Sequence, residues 1–116
     1  MLREILKSKI HNAIVTKKEL YYEGSIGIDK ALLSKSNIIA NEKVQVVNFN
    51  NGARFETYVI EEKENSGTIA LYGPAARQAE VGDMICIIAY GLIENAQTEI
   101  FKSRVIVLGD KNKIKA

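Results

Sequence analysis

The chain has 116 residues, 47% of them hydrophobic and 26% charged, with a formal net charge of +2. That length holds one domain with its own core, and the scattered basic residues, without a Lys/Arg run or interleaved aromatics, do not point to nucleic acid. One cysteine and one histidine exclude an internal disulfide and the usual zinc ligand sets, so no metal site is expected. A Ser-His-Asp triad is left with His11 alone and no GxSxG elbow, and neither a dinucleotide nor a P-loop glycine motif occurs.

In chain order, Met1-Leu2-Arg3-Glu4-Ile5-Leu6 carries charge and no small-residue cleavage site, so it does not read as a secretory signal. No apolar run is long enough to span a bilayer, and a cytoplasmic location is expected. Residues 9–16 partly alternate and predict a strand with Ile10 and Ile14 on one face. Gly24-Ser25 follows, a dipeptide that ordinarily marks a turn or linker. Residues 29–36 predict a short helix with Asp29 as its N-cap. Residues 43–49 and 53–61 are β-rich runs around Asn50-Asn51-Gly52, and Asn-Gly is a strong hairpin signal.

A second turn, Asn65-Ser66-Gly67, leads into a strand over 68–72. Residues 73–79 predict a tight turn and one helical turn, with Pro74 tolerated near its start. Val81-Gly82-Asp83 punctuates before 84–90, which is apolar on both faces and predicts a central strand. Cys86 lies in that run and reads as a small buried hydrophobe. Residues 99–108 are expected to close the core, and 111–116 to form a fraying polar tail. Together these elements predict a mainly β fold, a compact β-barrel with two or three short helices.

Gly24-Ser25 has one further capacity. The Ser25 hydroxyl can attack the carbonyl that precedes it through a five-membered ring, and glycine leaves that carbonyl most exposed. The amide becomes an ester; elimination and hydrolysis then leave a pyruvoyl group where Ser25 stood. A tethered attack of this kind supplies about 7–11 kcal/mol of the barrier. Backbone strain at a residue such as Gly24 stores only about 1–3 kcal/mol. Proximity is therefore the larger effect.

Lys9-x-His11, Tyr22-Glu23-Gly24-Ser25, Asn51-Gly52-x-Arg54-x-x-Thr57-Tyr58, Gly73-x-Ala75-Ala76 and Val81-Gly82-Asp83 occur in this order. In this combination the chain resembles the pyruvoyl-dependent aspartate α-decarboxylases from about Met1 to at least Ala89. The resemblance implies a six-stranded double-psi β-barrel over 1–116, a homotetramer, and active sites between neighbouring subunits. It implies a proenzyme that cuts itself between 24 and 25 into a β chain (1–24) and an α chain (25–116). The pyruvoyl cofactor derived from Ser25 would form a Schiff base with L-aspartate and act as the electron sink for its decarboxylation to β-alanine, destined for pantothenate and coenzyme A.

The resemblance also distributes roles. Thr57 would donate to the Gly24 carbonyl oxygen during self-cleavage, and Tyr58 would return a proton to the substrate carbon. Arg54 can grip one carboxylate with two prongs and Lys9 offers a point charge to the other, the assignment between them staying open. His11 shares a strand face with Lys9 and could bind, relay a proton or line the pocket. Tyr22 would border the site. Gly73, Pro74, Ala75 and Ala76 would hold substrate with backbone amides, Pro74 itself having no N–H to give. Three residues depart from the family pattern: Tyr72 stands where asparagine is usual, Val47 where some members have tryptophan, and Ile26 where some have cysteine. They bear on the rate of self-cleavage and on the need for a maturation partner. The alternative from another class is a non-catalytic β-barrel binding module in which Gly24-Ser25 is an ordinary turn.

Overall fold

Aliphatic residues at alternate positions build strands whose buried side chains meet in one interior. A computed structural model describes residues 1–116. Its strands are β1 (Leu2–Ile14), β2 (Lys17–Glu19), β3 (Ser25–Asp29), β4 (Lys43–Asn48), β5 (Arg54–Glu62), β6 (Ile69–Tyr72), β7 (Met84–Glu94) and β8 (Arg104–Val107). One α-helix, α1 (Lys30–Ser36), and three short 3-10 helices complete the fold. The mainly β class is as expected. The strands join in the order β2-β6-β3-β5-β4-β7-β1-β8, parallel at β2–β6, β3–β5 and β1–β8 and antiparallel elsewhere.

This order forces curvature. Strands β1 and β2 stand near opposite ends of the sheet, yet only Val15 and Thr16 separate them in the chain. Two residues reach only about 7 Å, so the sheet must curl until its ends meet. Thr16 makes the junction: its N–H donates to the Ile69 carbonyl at 2.8 Å, and its Oγ1 accepts from Ile69 N–H at 3.0 Å. The ladder itself is not closed by hydrogen bonds. Eight strands are named where six were expected; the short, parallel-paired β2 and β8 are the edges, and six strands lie between them.

The interior is filled by Ile10, Ala13, Val15, Ile26, Ile28, Val44, Val46, Val59, Ile69, Leu71, Ile85 and Ile87, all buried. β7 lies inside the sheet between β4 and β1, as its two apolar faces predict. The β4–β5 hairpin also forms as expected, with Val44 opposite Thr57 and Val47 opposite Arg54. Gly52 takes φ +73° in its turn. The Asp29 carboxylate caps α1 through Ala31 N–H and also accepts from Asn65 and Gly67 N–H, each at 2.8 Å.

Four expectations need correction. Asn12 adopts φ +65° at a register shift between Ile10 and Ala13, so Ala13 takes the interior position expected of Ile14. The bulge inserts a residue and flips the alternation. Two unforeseen strands, β2 and β3, flank the Gly24 turn. In the 99–108 segment only Ile106 and Leu108 are buried, while Ile100 is 76% exposed. The terminal segment does not fray: Asn112 is buried, accepts from Ile14 N–H, and donates to the carbonyls of Ile14 and Gly67. Lys115 N–H and the Ala116 carbonyl both bond to Val107. No helix is long and apolar enough to cross a membrane.

Candidate active site

Ser25 opens β3 and is 1% exposed. Its hydroxyl takes no partner within the chain, yet Ser8 Oγ is the one fully enclosed side-chain oxygen left unpartnered. The Ser25 oxygen thus keeps an opening and breaks no bond to move. Directly across the antiparallel pair stands Tyr72, the last residue of β6.

The residue after Tyr72 presses on the Gly-Ser junction. Gly73 has φ +69°, and a Cβ added there would lie 2.7 Å from Gly24 Cα, 2.8 Å from the Tyr22 oxygen and 2.9 Å from Gly24 N. Only glycine serves at 73, by conformation and by space. Pro74 follows at the start of the Gly73–Gln78 3-10 helix, its Cδ 3.5 Å from where a Gly24 Cβ would be. Ala75 and Ala76 are buried behind it. Small residues therefore bring the 73–76 backbone against the 22–25 turn.

Strand β5 lies on the other flank of β3. The parallel register pairs Ile26 with Val59 and Gly27 with Ile60. Extended one and two residues beyond its first pair, that register would set Tyr58 level with Ser25 and Thr57 level with Gly24. Along β5, Phe55, Thr57 and Val59 are partly or fully buried, while Arg54, Glu56 and Tyr58 face outward. Tyr58, 37% exposed, shares that outer face with Ser25.

The remaining predicted residues stand apart from Ser25 within one chain. Arg54 is on β5, four residues before Tyr58, a separation of about 13 Å along a strand. Its guanidinium donates to Gln45 Oε1 at 2.8 Å. Lys9 pairs with Ile88 of β7 and Val105 of β8, four strands from β3 along the ladder. It enters no ion pair. His11 Nδ1 lies 3.0 Å from Cys86 Sγ, and the His11 ring meets Phe49 edge-on at 5.8 Å. Cys86 and Arg54 both pair with Val47, so His11, the buried Cys86, Val47 and Arg54 form one row across four strands. One protomer thus carries a nucleophile end and a cation end, unjoined by any hydrogen bond or ion pair.

Sequence reasoning missed two residues beside Tyr72. Its hydroxyl donates to Glu62 Oε2 at 2.7 Å, and Lys17 Nζ lies 5.7 Å from its ring centroid. The Tyr22 ring packs on Tyr72 at 4.9 Å and 51°. Burial, the bond to Glu62 and the nearby carboxylates push the Tyr72 phenol far above its ordinary range. The one available signal was Tyr72 itself, a phenol that needs a partner when buried.

The family described as aspartate decarboxylase matches residues 1–115. Among relatives, an aspartate 1-decarboxylase of Thermoanaerobacter pseudethanolicus is 51% identical over 97% of both chains. One of Cytophaga hutchinsonii is 52% identical over 96% of both. One of Francisella tularensis subsp. novicida is 57% identical over 86% of this chain and 90% of its own. With its glycine-lined Gly-Ser junction and a match that runs almost from end to end, this chain belongs to the aspartate decarboxylase family.

Proposed function

We propose that this chain is a self-processing decarboxylase that converts L-aspartate to β-alanine and carbon dioxide. The observation that carries the reading is the Gly24–Ser25 junction: a buried, unbonded serine at a strand start, with the Gly73 backbone seated against Gly24. Membership of a decarboxylase family weighs against the binding-module alternative.

Self-cleavage starts when Ser25 Oγ adds to the Gly24 carbonyl carbon. The Gly24–Ser25 C–N bond breaks as the C–O ester forms, and the hydroxyl proton passes to the freed amine. Loss of the residue-25 Cα proton and rupture of the Cβ–O bond then release the Gly24 carboxylate. Water hydrolyses the remaining enamine to a ketone and ammonia. Thr57, two residues before the Val59 that pairs with Ile26, would donate to the oxygen on which charge gathers; one such donor is worth about 3–4 kcal/mol.

The junction suits the pyruvoyl group that results. No Cβ at 24 or 73 crowds it, and the Ser25 oxygen has no bond to surrender. When formed, the group supplies an electron sink for carbon–carbon scission without an added cofactor. Gly73, Ala75 and Ala76 offer N–H groups to the substrate, Pro74 shapes their turn, and Tyr22 walls the opening. Tyr58, outward beside Ser25, delivers the proton to the substrate carbon. Arg54 and Lys9 bind the two carboxylates, with His11 beside them. No hydrogen bond or ion pair joins those cations to Ser25 within one chain, which is compatible with a homotetramer whose sites lie between subunits. The setting is cytoplasmic, and the product serves pantothenate synthesis.

Incubation of the matured protein with L-aspartate and cyanoborohydride tests this reading. The predicted result is substrate mass added to the peptide that starts at position 25, and none in Ser25→Ala. Equal labelling of both proteins would overturn it.

A further inference from the structure

The outer face of β3, β5 and β6 carries a cluster that the chemistry above leaves unused. Tyr72 of β6 donates its phenolic proton to Glu62 of β5. Between them lies Gly27 of β3, where an added Cβ would fall 2.8 Å from both Glu62 Cγ and Cδ. The Glu62 side chain thus occupies the notch left by glycine, and three adjacent strands each give one residue to the arrangement.

Tyr72 connects this cluster to the Gly-Ser junction at three points. Ser25 is its cross-strand partner, a pairing that sets Cβ atoms about 4.5–5.5 Å apart. Gly73, its neighbour in the chain, seats against Gly24. Tyr22, two residues before Gly24, packs its ring on the Tyr72 ring, and Lys17 caps that ring from β2. A phenol has one proton to give, and Glu62 receives it. Tyr72 is therefore no donor to the Gly24 carbonyl. Its contribution is the place of its ring.

We propose, resting on the self-cleavage reading above, that Glu62 is a positioning residue for self-cleavage: through the hydrogen bond across the Gly27 notch it fixes the Tyr72 ring and so holds Ser25 and the 22–24 turn in place for attack. Burial and Glu62 keep the phenol protonated, as that bond requires; the carboxylate of Glu19 and the phenol of Tyr22 act in the same direction.

The test is a set of cleavage time courses by intact mass on full-length protein, with thermal denaturation as a check on folding. Glu62→Ala is expected to slow cleavage about tenfold, the rate equivalent of one charge-assisted hydrogen bond. Glu62→Gln keeps an acceptor and is expected within about threefold of wild type. The double variant Glu62→Ala/Tyr72→Phe should cleave no more slowly than the slower single one, because Glu62 acts only through Tyr72. If Glu62→Ala does not fold, Gly27→Ala retains both side chains yet displaces the carboxylate, and it should show the same slowing. Wild-type rates in Glu62→Ala or Gly27→Ala, no rescue by glutamine, or multiplying effects in the double variant would overturn the assignment while self-cleavage stands. A wild-type chain that never cleaves would remove both.

Discussion

In the function proposed above, Ser25, Thr57 and Tyr58 divide two reactions between them, and substitution would separate the two. Thr57→Val keeps the shape and loses the donor, so it should slow self-cleavage by about 100-fold or more, followed as loss of the full-length mass. Cleavage at the wild-type rate would refute the oxyanion role. Tyr58→Phe should mature normally yet form β-alanine at about a hundredth of the wild-type rate, in line with the usual worth of a general acid. Full activity would reject Tyr58 as the acid. Tyr72 makes a pH prediction. The folded chain holds the phenol proton more tightly than the unfolded chain, whose tyrosines titrate near 10. That stabilisation is complete below about pH 10 and is lost as pH rises from there toward the folded value. Urea midpoints should therefore fall more steeply with alkaline pH in wild type than in Tyr72→Phe. At this scale the Gly-Ser junction was legible because its chemistry lies in adjacent residues. Glu62 and Lys17 were not, because only the ladder brings residues 17, 62 and 72 together.

Among the elements, those punctuated by local chemistry were read correctly. Asn-Gly produced the β4–β5 hairpin, and Asp29 capped α1. The Asp29 carboxylate does more than its position suggests, since the 65–67 turn also hangs on it through two backbone donors. Asp29→Ala should cost about 2–4 kcal/mol, since it removes three part-buried hydrogen bonds to an ionised acceptor, the cap among them, and a urea titration would read this. A loss under 1 kcal/mol, roughly that of a cap alone, would contradict the hub role. The misread elements depend on distant partners. The Asn12 bulge is set by pairing with β7, and the terminal segment is ordered by Asn112 gripping Ile14 and Gly67. Polarity alone suggested a loose end there; three hydrogen bonds from one buried amide make it part of the fold.

For the whole molecule, the strand order sets where the proposed site residues lie. Strand alternation turns Arg54 and Tyr58 outward and leaves Lys9 and His11 partly exposed, while Ser25 lies buried at the start of β3. The class of fold was legible from strand alternation, whereas the curl follows from the short β1–β2 connection and the strand order, which no local pattern encodes. The most direct test of the central claim is the intact mass of purified, warmed protein. Self-cleavage would yield a 24-residue fragment ending at Gly24 and a 92-residue fragment lacking a free amino terminus. A single 116-residue species that persists unchanged would contradict it.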